Sequence, residues 1–433
     1  MTILDQLPRF SAQDKGAVGE GTLDPLGLSP VAERIADLLA PGLRARMSQP
    51  RFTTLAAVGA MAQPEPGPVT ASNGPAADIA FEWLVAEALA RDKSANPPHT
   101  FPGSRKVARA LRRNERVSAS DYLASPRVFG FNGVYRPFAR YAGVLDDRSD
   151  ELGLKAIGLV EAWEQDQGLT GFARRLPGTE GNRFRIEASK HVRDAMEKGV
   201  VTAPATGQFL RNLAHVANPT GAGPRERAYL RNLLFHGRVG DGEIRNELVQ
   251  LIANELAAGP GDMSISDRSL AETVAPKAST VTRRVLEAAI AYETCAAQMD
   301  YAFRSILRHG SSLHGAFTLD MAADAEGVAE IAADFPALVD AAHTAAGALQ
   351  SPLWAVSPFE AFTEPLDPLQ FAQALITHHH RVQANKAKLS WLDVDGDGWR
   401  VRRLFRDQPE LDPTAWLHPM RLTTIAIFLK ATA

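Results

Sequence analysis

The sequence predicts a mainly α-helical, multidomain protein with a winged helix-turn-helix-like module and one small C-terminal β-hairpin. Three observations predict it. Apolar residues recur at helical spacing along most of the chain, and strand-like alternation is confined to one stretch near the C-terminus. Residues 101–171 also run in the order helix, short helix, helix, hairpin, helix, which is the order of a winged helix. At 433 residues the chain is too long for one ordinary core. Divisions are expected at 1–75 (irregular head, helices and linker), 76–200 (basic winged-helix-like), 201–350 (helical) and 351–433 (helix plus hairpin).

Taking the elements in order, "SPVAERIADLLAPGLRARM" reads as a helix capped by Ser29 with Pro30 in its first turn. "PRFTTLAAVGAMA" reads as a second, and "QPEPGPVTASNGPA" as a linker. "ADIAFEWLVAEALAR" resumes with Ile79, Trp83 and Ala86 on one face. In the basic region, Ser104 opens a helix through Arg116, and "SASDYLA" is a short helix with Ser118 and Asp121 as a capping box. "NGVYRPFARYAGVL" is a third helix, starting near Val134 so that Pro137 falls in its first turn. "DDRSDELGLK" is a candidate hairpin, and "AIGLVEAWEQDQG" closes the unit with Trp163 on its buried side. Beyond residue 171 the pattern is helical up to "DPLQFAQALITHHHRVQANKAK", where Asp367, Pro368 and Gln370 mark the start. "LSWLDVDGDGWRVRRLF" then alternates about an Asp-Gly turn.

The 45% hydrophobic and 22% charged content is that of a globular chain. No run approaches 18 apolar residues, so no membrane span is expected, and the N-terminus lacks the pattern of a signal peptide. Cys295 is the single cysteine, which excludes internal disulfides and multi-cysteine zinc sites and suits a reducing cytoplasm. A net charge of −3 predicts no global attraction to nucleic acid.

The charge is unevenly distributed, however. Residues 104–148 carry ten basic side chains against four acids. Arg105, Arg109, Arg112 and Arg116 are spaced 4, 3, 4, the spacing of one helical stripe. Arg136 and Arg140, one turn apart, fall on the expected recognition helix. Such a stripe suits a phosphate backbone, an acidic protein surface, or plain solvation. A second cluster, Arg174, Arg175, Arg183, Arg185, Lys190 and Arg193, would extend the same surface.

Catalytic patterns are scarce. The chain has no P-loop, no G-x-S-x-G elbow, no H-E-x-x-H and no acid two residues before any lysine. His378, His379 and His380 point in three directions on a helix, and none has a His, Cys, Asp or Glu three or four positions away. His379 continues the stripe of Ala372, Leu375 and Val382, so half-burial with one bonded nitrogen is expected. "DVDGDG", with Asp393, Asp395 and Asp397, starts like a calcium loop, but its twelfth position is Leu404 rather than a glutamate. A hairpin turn is the better reading.

Three stretches, "SDYLASPRVFGFNGVYRPFARYAGVLDD", "HHRVQANKAKLSW" and "WLHPMRL", resemble helical accessory proteins encoded with bacterial DNA-restriction or anti-phage defence systems. The resemblance covers about an eighth of the chain and implies a subunit working beside partners that supply ATPase or nuclease chemistry. The combined expectation is a non-catalytic subunit that contacts double-stranded DNA or scaffolds a complex, with no cofactor and no metal. The alternatives are a metal-dependent hydrolase or nuclease built on His378–His380 and Asp393–Asp397, and a transcriptional regulator.

Overall fold

The computed structural model describes residues 24–64, 74–148, 151–236, 242–259, 265–313, 315–349, 357–409 and 412–433. The irregular head as far as residue 23, most of the linker, and the tip of "DDRSDELGLK" lie outside these. The described residues form seventeen α-helices and one two-stranded antiparallel sheet. They group into two compact units, one of residues through Ala36 with Ser279–Met420 and a larger one of Asp37–Ala278 with Arg421–Ala433. The division falls within the first helix, α1 (Ser29–Leu39).

The larger unit holds α2 (Arg51–Met61), α3 (Ala77–Arg91), α4 (Ser104–Arg112), α5 (Pro126–Phe129), α6 (Phe131–Tyr141) and α7 (Ala156–Asp166). It continues through α8 (Glu180–Lys198), α9 (Gln208–Val216), α10 (Pro224–Phe235), α11 (Glu243–Ala258) and α12 (Asp267–Val274). The smaller unit holds α13 (Thr280–Ser312), α14 (Leu319–Ala323), α15 (Val328–Gly347) and α16 (Pro368–Asn385). Strands β1 (Leu392–Asp395) and β2 (Gly398–Val401) follow α16, and α17 (Leu422–Ala431) returns the chain to the larger unit.

Several local expectations are corrected. The start of α1 is capped by Asp24, whose carboxylate accepts the Leu28 and Ser29 N–H groups at 2.9 and 3.2 Å, rather than by Ser29. "SASDYLA" forms turns, not a helix. Its Ser118 hydroxyl does donate to Asp121 at 2.6 Å, but the Ser118 backbone bridges to Val200 and so cannot enter a helix. Helix α6 starts at Phe131 and carries Pro137 in its interior, where the ring removes one i→i−4 bond. The described residues of the connection before α7 pair about one bridge, Leu145 to Leu152, with the Asp146 N–H donating to the Glu151 carbonyl and the Gly153 N–H to the Val144 carbonyl, both at 2.9 Å. Helix α6 is not presented as a recognition helix. Phe131 stacks on Phe52 of α2 at 5.0 Å and Phe138 meets Phe428 of α17 edge-on at 5.1 Å.

Helix α3 organises this region. Every residue from Ile79 to Leu89 is buried, so the helix is a central one, yet it carries Glu82 and Glu87 at 0% exposure. A buried carboxylate must find donors. Glu82 takes the Tyr122 hydroxyl at 2.6 Å and the Asn132 N–H at 2.9 Å. It thereby caps α6, and this fixes the helix start three residues before the position Pro137 suggests. The carboxylate comes so close that a Cβ on Gly130 would stand 1.8 Å from its Oε1, so only glycine fits there.

Burial pushes the Glu82 carboxyl up to about 7, against the opposing pull of the Tyr122, Asn132 and Phe131 donors. A carboxyl raised above its unfolded value contributes stability below about pH 4.5, and that contribution fades as pH rises through 7. The difference amounts to about 3 kcal/mol. Glu82→Gln keeps an acceptor for Asn132, while Tyr122 can still donate to the Pro102 carbonyl, 3.1 Å away. Thermal unfolding should therefore find the variant close to wild type at pH 5 and more stable at pH 8.5. Equal destabilisation at both pH values would contradict this.

Candidate nucleic-acid interface

Helix α4 buries Val107 and Ala110 and packs against α3. Its opposite face presents Arg105, Arg109 and Arg112, all exposed, whose side chains make no ion pair or hydrogen bond among the described residues. Lys106 is also exposed and ties its ammonium to the Tyr122 carbonyl at 2.6 Å. The helix stops at Arg112 because Asn114 adopts a left-handed conformation, φ 59°.

Arg116 therefore leaves the stripe. It turns inward, donating from Nε to Glu87 Oε1 at 2.6 Å and from its terminal nitrogen to the Ala203 carbonyl. Glu87 also takes Arg91 Nε at 2.7 Å and the Val117 N–H at 3.0 Å. The expected row of four arginines is thus a row of three plus an anchor. Arg136 is half-buried and donates to Asp78 at 2.6 Å, and Arg140 is half-buried on the same helix. The structure does not bring these two onto the α4 face. Arg113 is bound by Glu115 and, at 3.1 Å, by Asp121.

The second basic cluster is largely spent inside its own neighbourhood. Arg174 pairs with Glu161 and Arg183 with Glu180. Arg185 donates to the Phe172 and Ala173 carbonyls at 2.9 Å each and lies over the Phe172 ring. Lys190 and Arg193 remain exposed on α8.

In the smaller unit His378 and His379 have structural roles. His379 is fully buried. Its Nε2 accepts the Trp391 N–H at 3.0 Å, so Nδ1 carries the proton and donates to the Pro25 carbonyl at 2.9 Å. Both nitrogens are committed, not one. Burial lowers its pKa to about 4, which keeps the ring neutral. His378 is buried too, with Nε2 on the Leu26 carbonyl at 2.8 Å and Nδ1 facing Arg381 at 3.0 Å. These rings fasten α16 to the chain before α1.

The Asp-rich turn is a hairpin. Leu392 pairs with Val401 and Asp395 with Gly398, enclosing Gly396-Asp397. Asp395 binds Arg400 at 2.6 Å and Asp393 binds Arg402 at 2.5 Å. On its other edge β2 exchanges two backbone bonds with Phe317, and a Cβ on Gly398 would lie 2.2 Å from the Phe317 oxygen. Among the described residues no three His, Cys, Asp or Glu side chains converge as a metal site.

A cavity of about 470 Å³ opens near the turn that follows α4, walled by Ile79, Trp83, Leu123, Pro126, Arg127 and Gly199 among others. Among the described residues the buried Trp83 indole N–H has no acceptor, and no acid–base pair lines the walls. No helix among the described residues is long and apolar enough to cross a membrane.

Compared with known proteins, the chain matches no family model, no curated protein and no solved structure.

The sequence signal that separates Arg116 from the stripe is Glu87, an acid inside an apolar helix. Removing Arg116 leaves that buried carboxylate short of a donor, so Arg116→Ala should cost about 2 kcal/mol. Arg109→Ala should stay within about 0.5 kcal/mol. Denaturant melts of the two variants check this, and equal effects would contradict the assignment.

Proposed function

We propose that the exposed face of α4 is a contact surface for the phosphate backbone of double-stranded DNA, with Arg105, Arg109 and Arg112 as the contacting residues. The observation that carries this reading is a contrast. Arg51, Arg113, Arg116, Arg136, Arg174 and Arg183 each have a carboxylate within 4 Å, and the three α4 arginines have none among the described residues. They span about 10 Å of helix axis, the axial extent of about three phosphates on one strand. A surface of this kind reads charge rather than sequence. It suits a subunit that holds DNA for a partner carrying ATPase or nuclease chemistry, as the resemblance to defence-system accessory proteins implies. Arg136 and Arg140 receive no base-reading role here, since α6 faces the core.

Docking of an acidic protein partner is the second reading, and the same lack of carboxylates favours it. A mobility titration of duplex DNA at two salt concentrations, run beside co-purification, separates the two. For backbone contact, Arg105→Glu with Arg109→Glu should weaken binding more than tenfold at low salt. The slope of log K against log salt should become shallower by about two units. Arg183→Glu, already paired, should change neither. Wild-type protein that binds no DNA but loses a partner on the double reversal would establish the docking reading instead.

A further inference from the structure

The segment from Gln408 to Met420 has no regular structure beyond turns where it is described, yet α13 holds it at several points. Gln298 donates to the Pro413 carbonyl at 3.1 Å, Arg304 to Gln408 at 2.9 Å and Arg308 to the Pro409 carbonyl at 2.9 Å. The strongest hold is Glu293, a glutamate at 0% exposure. Its Oε2 accepts the Leu417 and His418 N–H groups at 2.8 and 3.0 Å, and its Oε1 faces His418 Nδ1 at 2.7 Å. One carboxylate thus binds two backbone donors and one imidazole of the same short segment.

We propose that His418 is a pH-sensitive latch that fastens this strap to α13 as the imidazolium and loosens it on deprotonation. Charge is balanced around the buried Glu293. Three carboxylates act on the ring: Glu293 and Asp300 from α13, and Asp24 from the chain before α1. Two cations answer them. Arg304 binds Asp300 at 2.5 Å, and Lys386, just after α16, binds Asp24 at 3.2 Å. The third positive charge is the imidazolium itself. On deprotonation the neutral ring can still donate its Nδ1–H to Glu293, but the site is left with three carboxylates against two cations, and the energetic cost of that unbalanced buried charge falls on the strap.

Burial alone would lower the His418 pKa. The Glu293 hydrogen bond and charge, with Asp24 and Asp300 behind them, outweigh burial and hold it above the ordinary value. A base raised in this way contributes stability that is complete below about pH 6.5 and is lost as pH rises through the folded midpoint. The strap leads directly into Arg421 and α17.

The test uses the full chain. Hydrogen exchange of residues 412–420, corrected for the intrinsic pH dependence, is followed from pH 5.5 to 8.5. Protection should fall by about fivefold across the His418 midpoint, the equivalent of roughly 1 kcal/mol. In His418→Gln, protection should be low and flat with pH. A wild-type profile without a step, or the same step persisting in His418→Gln, would overturn the proposal. Should the variant fail to fold, imidazole NMR of the wild type still decides: a His418 midpoint above 6.5 is required, and one at or below it refutes the latch.

Discussion

Glu87 has no route to water, and much of the basic region is arranged to satisfy it. Its two oxygens take Arg91, Arg116 and the Val117 amide, so one buried carboxylate fixes the chain that leaves α4. Five residues earlier on the same helix, Glu82 fixes Tyr122 and the first turn of α6. The constraint is electrostatic and general: a charge removed from water takes whatever donors the chain can supply. Here it takes one arginine out of an otherwise regular row.

The parts legible in the sequence are those decided by near neighbours. The Asp367–Gln370 capping box, the Pro at the first position of α16 and the alternation on both sides of Gly396-Asp397 all involve residues within a few positions of one another. These formed as read, although the hairpin turn closes on Gly-Asp rather than Asp-Gly. Misreadings arose where a distant group decides. Arg116 lies at helical spacing from Arg112, but its partner is 29 residues upstream. Pro137 suggests a late start for α6, and Glu82, 50 residues before Asn132, overrides it. "SASDYLA" has the letters of a helix start, and the bridge from Ser118 to Val200 prevents the helix.

The histidine run follows the same logic. Its divergent directions were readable, but its acceptors were not, because Pro25 and Leu26 lie some 350 positions away. Two of the three rings act as neutral cross-braces. The imidazole placed against a buried carboxylate is instead His418, in the proline-flanked "WLHPMRL", whose partner on α13 is 125 residues upstream. The division of labour among charged side chains therefore accounts for both the braces and the exposed face: most are consumed by fixing the fold, and a few are left over.

That division is tested most directly by arginine reactivity. A dicarbonyl reagent specific for guanidinium groups, followed by peptide mapping, reports which arginines are held and which are available. The account predicts rapid modification of Arg105, Arg109 and Arg112, slow modification of Arg51 and Arg116, and protection of the first three when duplex DNA is added. Modification of Arg116 as fast as Arg109, or no protection of the α4 arginines by DNA, would contradict it.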